Sequence, residues 1–407
     1  LMIDLNHRLA LDGNDPNSYG GLLWCLGQFD RPFPTAPVFG SVRRRSLARH
    51  AARLDMGRYA HSVSSPAGGR RLRVAVIGAG LAGLNAARIL QDQGHEVVVV
   101  EKARGAGGRT ATRRHEAWCF DHGAQYFTAR DPRFLRHVVA WRERGLVAHW
   151  NARIGVIEDG RIHGASRDTE RFVAVPGMSA ICRDMAGELA DCRFGWRVES
   201  AVFQEDGWLL QAADGSTLNA DALVITAPPG QVGPLLGDSA VRAAAEDALS
   251  GMVMQPCWAV MAVFPSPLLS AWDAAFVNDG NLSWLSGQAS RPGRPDAAAW
   301  VLHATPEWSL ANLERDAAEV ADMLVQEACA LPGARRMAAG FATAHRWRHA
   351  LAKQPLERGA LWFDRERLAL AGDWCAGSRV EGAFLSGAAA AGRVLGCDYA
   401  RTAPHGA

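Results

Sequence analysis

A glycine-rich turn constrains the fold of this chain more than any other feature of its sequence. Gly78, Gly80 and Gly83 form a G-x-G-x-x-G pattern, with a β-branched run (73–77) before it and a run of helical spacing (81–93) after it. The first glycine makes a tight turn, the second lets the backbone approach a pyrophosphate, and the third lets the helix pack on the strand. The pattern predicts a right-handed β–α–β unit in which the helix N-terminus faces phosphate groups.

A second strand and an acidic residue complete this unit. Residues 95–101 form a buried apolar run that ends at Glu101, eighteen residues after Gly83. A carboxylate at this position accepts hydrogen bonds from the ribose hydroxyls of a bound adenosine. The spacing predicts dinucleotide binding, with a structural glycine turn as the alternative, and it does not distinguish FAD from NAD.

Composition narrows the class of protein. A chain of 407 residues is too long for one hydrophobic core, and its net charge of +2 gives no reason to expect nucleic acid or an anionic membrane as a partner. The eight cysteines form no CxxC pair and no Cys/His cluster, so we expect no disulfide frame, no metal site and a reducing, cytoplasmic location. The Ala/Gly-rich run 382–396 is too short to span a bilayer and favours a packed helix.

Hydrophobic periodicity and turn residues place the remaining elements. Residues 257–310 mix aromatic and apolar residues with turns, as is typical of a mixed sheet. The pattern predicts helices at 132–144, 176–190, 310–330 and 382–395, and strands at 197–204, 207–213, 223–229 and 368–373.

Two further motifs identify the cofactor by resemblance. Residues 101–114 (EKARGAGGRTATRR) contain a Gly107-Gly108-Arg109 turn, which is similar to the second glycine motif of the FAD-binding amine oxidase and phytoene desaturase superfamily. Residues 368–395 resemble the C-terminal flavin motif of that superfamily. The resemblance implies that Arg109 lies against the cofactor phosphates and that Asp373 binds the ribityl chain. A helix that begins near Glu381 would stabilise negative charge on the reduced ring.

This resemblance implies an α/β fold, with a Rossmann-type FAD-binding domain like that of the amine oxidases and an inserted α+β substrate domain. Residues 1–70 lack periodicity and are expected to be a flexible extension, with upstream sequence before a start at Met56 or an Arg-rich targeting segment as alternatives. The expected FAD-binding domain comprises 71–126, 176–230 and 351–398, the substrate domain comprises 127–175 and 231–350, and 399–407 form a tail.

Four strings narrow the resemblance to renalase and its bacterial relatives. They are DHGAQYFTARD (121–131), FVAVPGMSAICR (172–183), HRWRHALA (345–352) and GDWCAGSRVEGAFLSG (372–387), within a likeness that covers roughly 72–396. The resemblance implies that Gln125 and Tyr126 lie beside the flavin. Arg379, which its motif position places at the mouth of the flavin site, completes the expected catalytic set, with an ion pair to Glu381 or another nearby carboxylate as the alternative for this arginine. FAD is expected to be non-covalent, because Cys375 lacks the setting of a flavin-linked cysteine. The implied cofactor contacts are Gly78, Gly80, Ala82, Gly83, Glu101, Lys102, Gly108, Arg109, Gln125, Tyr126, Gly372, Asp373, Glu381, Gly382 and Ala383.

The residues themselves disfavour amine oxidation. Monoamine and polyamine oxidases use a mid-chain lysine and a tyrosine cage, but no lysine lies between Lys102 and Lys353, and Arg379 occupies one cage position. The renalase likeness implies instead that 2- or 6-dihydro isomers of NAD(P)H give a hydride to flavin N5, and that dioxygen is then reduced to hydrogen peroxide. The alternatives are another oxidase or desaturase of the superfamily and a non-catalytic FAD-binding redox sensor.

Two polar segments have competing interpretations. Asp121 and His122 suggest a catalytic pair or, more simply, a loop fixed by hydrogen bonds. The basic residues of 345–349 suggest a phosphate contact or a strand with Trp347 on its inner face and the arginines on its outer face.

Overall fold

A computed structural model describes residues 71–166, 169–205 and 207–396. The predicted N-terminal extension and C-terminal tail lie outside these described residues. All the described residues belong to one compact unit, and the predicted division into an FAD-binding and a substrate domain stays a prediction.

The described residues form twenty strands, nine α-helices and two short 3-10 turns (Gly108–Thr110 and Gln288–Ser290). The strands are β1 (Arg73–Ile77), β2 (Glu96–Glu101), β3 (Thr112–His115), β4 (Trp118–Asp121), β5 (Val147–His149), β6 (Ile154–Glu158), β7 (Arg161–Gly164), β8 (Phe172–Ala174), β9 (Asp191–Phe194), β10 (Val198–Gln204), β11 (Gly207–Ala212), β12 (Thr217–Ala220), β13 (Ala222–Ile225), β14 (Met254–Val263), β15 (Ala274–Val277), β16 (Leu282–Gly287), β17 (Ala299–Ala304), β18 (Phe341–Ala352), β19 (Leu361–Phe363) and β20 (Leu368–Leu370). The helices are α1 (Leu81–Asp92), α2 (Pro132–Glu143), α3 (Ala180–Gly187), α4 (Pro229–Leu236), α5 (Arg242–Ala248), α6 (Pro306–Ala311), α7 (Ala317–Ala330), α8 (Asp373–Ala376) and α9 (Val380–Val394).

The predicted β–α–β unit forms the centre of a six-stranded sheet. Its strand order is β19-β20-β13-β1-β2-β9, and every pair is parallel except β19 with β20. Strands β1, β2 and β13 are almost wholly buried, because their Val, Ile and Leu side chains are covered on both faces of the sheet. The sheet takes its strands from three distant parts of the chain, and their carboxyl ends meet at one edge.

A seven-stranded sheet forms the second large layer. Its order is β18-β14-β17-β16-β15-β6-β7, and all pairs are antiparallel except β15 with β6. One face packs on α7 through residues such as Val260 and Leu302. The other face carries Trp284 and Phe276, which belong to the same core as α1 and α9. A three-stranded sheet (β10-β11-β12) and the pairs β3-β4 and β5-β8 complete the strands that the structure describes.

Several predicted boundaries were wrong for local reasons. The predicted helix 310–330 is two helices, because the Asp316 carboxylate accepts hydrogen bonds from the backbone N–H of Ala318 (2.7 Å) and of Glu319, and so begins α7 anew. The predicted strand 223–229 ends at Ile225, since Pro229 begins α4. The predicted helix 176–190 begins only at Ala180. The predicted strand 368–373 ends at Leu370.

Among the described residues, no helix combines the length and apolarity needed to cross a bilayer.

Helices α1 and α9 approach each other until their backbones touch. A Cβ atom added to Gly387 would lie 2.1 Å from the carbonyl oxygen of Ala82, so no side chain fits between the helices at this point. Beside this contact, the side-chain amide of Asn85 donates to the carbonyl of Phe384 at 2.7 Å. The contact places the start of α9 next to the glycine turn that precedes α1.

We predict that Gly387→Ala destabilises the protein by about 1–3 kcal/mol, because the added methyl group forces α9 away from α1. Thermal unfolding of the purified protein measures this change. Gly187→Ala is the matched control: a Cβ there meets no atom within 4 Å. It should change stability by less than about 1 kcal/mol. Equal melting temperatures for the two variants would contradict the close helix contact.

Candidate cofactor and substrate site

A cavity of about 940 Å³ lies at the carboxyl edge of the six-stranded sheet. The segments that follow β1, β2, β13 and β20 form one wall, and β18 forms another. This is the edge at which parallel α/β sheets bind ligands. Of the predicted cofactor contacts, the ones that line the cavity are Gly78, Gly80, Ala82, Glu101, Lys102, Gly108, Arg109, Gly372, Asp373 and Ala383.

The glycine turn has the geometry of a phosphate site. Gly78 has a φ of +108°, and its backbone N–H donates to Val100 at 2.8 Å, which makes the tight turn. A Cβ on Gly83 would lie 2.0 Å from the carbonyl oxygen of Gly78, so α1 packs directly on the turn. Gly80 is the N-cap residue of α1, and a Cβ there would meet no protein atom within 4 Å. The open space before Gly80 therefore fits a pyrophosphate at the start of α1.

Glu101 lines the cavity at the end of β2. Its carboxylate accepts hydrogen bonds from the backbone N–H of Ala79 at 2.9 Å and of Ala103 at 2.7 Å. These bonds orient the carboxylate, and each oxygen keeps a second lone pair for a ribose hydroxyl. Beside it, the Lys102 ammonium lies 3.5 Å from the side-chain oxygen of Gln231.

An ion pair joins the second glycine motif to the C-terminal motif. The Arg109 guanidinium donates to both carboxylate oxygens of Asp373, once at 3.0 Å and once in a shorter contact, and it also donates to the carbonyl of Ala350 at 3.3 Å. The Asp373 side chain is fully buried. Arg109 and Asp373 are therefore in direct contact in the lining of the cavity. Sequence resemblance had assigned the first to the cofactor phosphates and the second to the ribityl chain.

Gln125 lies outside the cavity lining and is 1% exposed. Its side-chain nitrogen donates to the carbonyls of Asp121 and Gly123, and its oxygen accepts from the Ser286 hydroxyl at 2.8 Å and from Arg291 at 2.9 Å. These four bonds use the hydrogen-bonding capacity of the amide. The predicted catalytic role of Gln125 stays a prediction, and its side-chain contacts are those of a residue that fixes the loop.

Tyr126 lies in an aromatic cluster rather than on the cavity wall. Its ring centroid is 5.8 Å from those of Trp150 and Trp284, and the Arg171 guanidinium lies 5.3 Å above the ring. These are ordinary packing and cation–π distances. A contact between Tyr126 and flavin stays a prediction.

The first turn of α9 also differs from the sequence expectation. Arg379 is the half-buried N-cap residue of α9, and the Glu381 carboxylate accepts from the backbone N–H of Arg130 and of Asp131, each at 2.7 Å. Glu381 therefore holds the loop that precedes α2. Neither residue lines the cavity, nor does Gly382, where a Cβ would lie 1.9 Å from the Gly377 carbonyl oxygen. Their predicted roles remain predictions.

Sequence reasoning missed a buried charged cluster around Asp121. The Asp121 carboxylate accepts from the Thr112 hydroxyl at 2.6 Å and from the backbone N–H of Met178 at 2.9 Å, and it pairs with Arg294 and, more loosely, with Arg291 at 3.7 Å. All three charged side chains are 1% exposed or less. The loop-fixing interpretation of Asp121 is confirmed, but its partners are these groups and not His122. No local pattern around residues 291 and 294 signals the arrangement.

The alternating interpretation of β18 is also confirmed. Trp347 donates to the carbonyl of His122 at 2.9 Å on the inner face, whereas Arg346 lies 4.8 Å above the ring of Trp258 on the outer face. Arg346 and Arg348 both pair with the exposed carboxylate of Glu314. All five residues from 345 to 349 line the cavity.

Burial holds three histidines in their neutral form. Burial, with smaller contributions from His345, Arg113 and His303, lowers the pKa of His122 to about 3. Burial and the charge of Arg291 lower the pKa of His303 to about 4, although its bond to the His122 carbonyl acts in the opposite direction. The pKa of His345 is also lowered, first by burial and then by Arg113.

These features define a flavoprotein oxidoreductase: a parallel sheet, a phosphate-binding glycine turn, and a C-terminal motif that returns to the same cavity. Two family models match the chain, the NAD(P)-binding Rossmann-like domain at 76–140 and the flavin containing amine oxidoreductase at 161–395. The second match covers more than half of the chain, which therefore belongs to the flavin-containing amine oxidoreductase family. Membership of this family implies a flavin cofactor and an oxidoreductase.

Individual curated relatives match the chain only over short stretches. An L-amino-acid oxidase of Siganus canaliculatus is 51% identical over 53 residues, or 12% of this chain and 10% of that protein. A deoxyribodipyrimidine photo-lyase of Methanothermobacter thermautotrophicus is 46% identical over 39 residues, or 10% of this chain and 9% of that protein. The chain thus matches about a tenth of the length of these curated relatives.

Solved structures show the same fold at low sequence identity. A putative protoporphyrinogen oxidase from Exiguobacterium sp. 255-15 has a TM-score of 0.63 at 14% identity, over 81% of this chain and 98% of that one. A putrescine oxidase with bound putrescine has a TM-score of 0.61 at 14% identity, over 80% of this chain and 99% of that one. The narrower resemblance to renalases stays a prediction.

We predict that Gly80→Val abolishes FAD binding while the protein stays folded. Gly80 has an extended backbone (φ −82°, ψ 176°) that valine also adopts, and its Cβ direction is open, so the new side chain occupies only the phosphate space. Flavin absorbance per protein measures binding, and circular dichroism measures folding. Gly83→Val is the contrasting control and should lose both. A yellow Gly80→Val protein with full FAD content would contradict the assignment.

We predict that acidification destabilises the protein through the neutral histidines. The folded-state pKa values of His122 and His303 lie below that of an unfolded histidine, so the unfolded chain binds more protons as pH falls below 6.5. Each residue then removes about 1.4 kcal/mol of stability per pH unit until its folded-state pKa is reached. Denaturant unfolding between pH 7 and 5 should show a shallower slope for His303→Gln than for the natural protein. The exposed His163→Gln is the control; parallel curves for all three proteins would refute the prediction.

Proposed function

We propose that this protein is an oxidase of dihydronicotinamide isomers, which converts 2- or 6-dihydro-NAD(P) and dioxygen into NAD(P)+ and hydrogen peroxide. The observation that carries the proposal is the basic wall that β18 contributes to the cavity. Arg346 and Arg348 line it together with His345 and His349, and the two guanidinium groups, on the outer face of the strand, share the single carboxylate of Glu314. A wall of this kind favours a phosphate-bearing substrate and disfavours a protonated amine.

The charge balance of the whole cavity supports the same substrate class. The permanently charged lining residues are the cations Lys102, Arg109, Arg197, Arg346 and Arg348 and the anions Glu101, Glu199 and Asp373. Asp373 is paired with Arg109, Arg346 and Arg348 share the carboxylate of Glu314, and Glu101 is bound to backbone N–H groups. The cations that remain in excess favour a ligand that carries phosphate groups.

FAD is proposed to bind without a covalent link. The phosphate turn and Arg109 would hold its pyrophosphate, Glu101 its adenosine ribose, and Asp373 its ribityl chain. Burial raises the pKa of the Cys375 thiol, so a reactive thiolate is not available at the cysteine nearest the C-terminal motif. The reducing, cytoplasmic location inferred from the spacing of the cysteines stays a proposal.

The chain contributes orientation more than acid–base chemistry. When bound, FAD supplies a hydride acceptor that dioxygen can reoxidise. The substrate loses one hydride and its ring becomes aromatic; with one proton from solvent, that hydride reduces dioxygen to hydrogen peroxide. Loss of a hydride requires no general base, so the residues of the wall need only hold the substrate ring against the cofactor and its phosphates near β18.

A second candidate function for this protein is the oxidation of an amino acid. The short L-amino-acid oxidase match favours it, and an arginine wall would also bind a substrate carboxylate. The chain lacks the mid-chain lysine of the monoamine and polyamine oxidases, because residues 103–352 contain none. Desaturation of an apolar ring and a purely structural use of FAD are two further hypotheses for the same cavity.

We predict that anaerobic addition of 2- or 6-dihydro-NAD(P) bleaches the visible absorbance of the bound flavin, because the transferred hydride reduces it. Benzylamine, putrescine and L-amino acids should react with kcat/KM lower by about 10²-fold or more, because an ammonium group has no anionic partner on this wall. Arg346→Gln should raise KM by about tenfold, since a charge-assisted bond to phosphate is lost. Arg365→Gln, outside the cavity lining, is the matched control. Faster bleaching by an amine or an amino acid would overturn the substrate assignment.

A further inference from the structure

Paired positions of the seven-stranded sheet place two histidines in one row. His345 of β18 pairs with Ala259 of β14, Ala259 pairs with His303 of β17, and His303 pairs with Trp284 of β16. Directly paired residues share a face of the sheet. The row therefore lies on the face of the sheet that carries Trp284, which is the inner face. The small side chain of Ala259 leaves room between the two imidazoles.

The segment that begins at Asp121 covers this row and adds a third imidazole. The His122 carbonyl accepts from the ring nitrogen of Trp347 at 2.9 Å and from Nε2 of His303 at 3.2 Å. The His122 ring lies 4.8 Å from the ring of His345 and 5.1 Å from that of Trp347, between centroids. His345 and Trp347 line the cavity, whereas His122 and His303 stand behind them.

Two buried ring nitrogens of the imidazole cluster, which comprises His122, His303 and His345, make no hydrogen bond. Nδ1 of His122 and Nδ1 of His303 are buried and have no hydrogen-bond partner. These two side chains belong to residues that are 6% and 1% exposed. His303 donates from Nε2 to a carbonyl, so its Nδ1 carries a lone pair. Buried polar atoms without partners are rare in proteins and are costly unless a ligand or water satisfies them.

The cluster is also neutral in charge. The groups that lower the pKa values of His122 and His345, besides burial, are Arg113 and neighbouring imidazoles, and no carboxylate contributes. A neutral imidazole presents one N–H donor and one lone-pair acceptor. An ammonium group brings donors only, and a carboxylate brings acceptors only. A carboxamide brings both kinds of group in one plane and carries no charge that would have to lose its hydration.

We propose that His345 binds the carboxamide of the substrate nicotinamide ring, with His122 and His303 as positioning residues behind it. The inference rests on the proposed function, whose substrate carries this group. In this proposal, the inner face of β18 contacts the carboxamide, and the arginines of its outer face contact the phosphates. It also explains why a strand at the cavity wall places histidine and tryptophan on the inner face and arginine on the outer face.

Three aromatic probes of similar size test this carboxamide site in the FAD-bound protein. Benzamide, benzoate and benzylamine carry the same ring with a neutral, an anionic and a cationic group, and isothermal titration calorimetry at pH 7.5 gives their dissociation constants. Benzamide should bind most tightly. His345→Ala and His345→Phe should each raise the dissociation constant of benzamide by about tenfold, because one hydrogen bond is lost. The dissociation constant of benzylamine should change by less than about twofold. His345→Phe keeps the ring packing, and the exposed His163→Ala is the control.

The outcomes separate this inference from the proposed function. Unchanged benzamide binding in both His345 variants overturns the carboxamide site, even if the natural protein oxidises the dihydronicotinamide isomers. Loss of FAD from both variants also overturns it, because His345 is then a cofactor contact. If the natural protein fails to oxidise the isomers but benzamide binding still depends on His345, the carboxamide site stands and the proposed substrate falls. Retained FAD with selective loss of benzamide affinity supports the inference.

Discussion

The backbone contact between α1 and α9 is the constraint on which the cavity depends. Gly387 lies against the Ala82 carbonyl with no room for a side chain, and the residues that precede α9 are thereby brought beside the glycine turn nearly three hundred positions earlier. The Arg109–Asp373 ion pair depends on this placement, since Asp373 precedes α9 and the turn that carries Arg109 is joined to the first glycine turn by the bond from the Gly107 N–H to the Ala79 carbonyl at 3.0 Å. A buried ion pair is stable only with accurate geometry, and here packed helices supply that geometry.

The parts of the fold that local sequence determines could be predicted well. The strand, turn and helix around Gly78, Gly80 and Gly83 follow from residues that contact one another within thirty positions, and they form as expected. Asp316 shows the limit of periodicity: an apolar pattern continues across it, but its carboxylate caps a new helix, and a single predicted helix becomes two. Capping competes with periodicity, and only the structure reveals which of them prevails.

Contacts between distant segments explain the missed part of the site. Gln125 and Glu381 lie in the segments where resemblance placed them, but their side chains satisfy partners at Ser286, Arg291 and the loop before α2. Arg291 and Arg294 resemble ordinary surface arginines in the sequence, because nothing near them indicates that Asp121 lies opposite. Their burial depends on a contact between segments that lie 173 positions apart, which no short window of sequence contains.

The two faces of β18 act over different distances. Charges on Arg346 and Arg348, shared with one exposed carboxylate at Glu314, reach into solvent for about one Debye length, roughly 8–10 Å at physiological ionic strength. The imidazoles and Trp347 of the inner face act only on contact. If the substrate is the proposed dinucleotide, added salt should slow its first encounter with the cavity, whereas contacts between the inner face and an uncharged ring should be insensitive to salt.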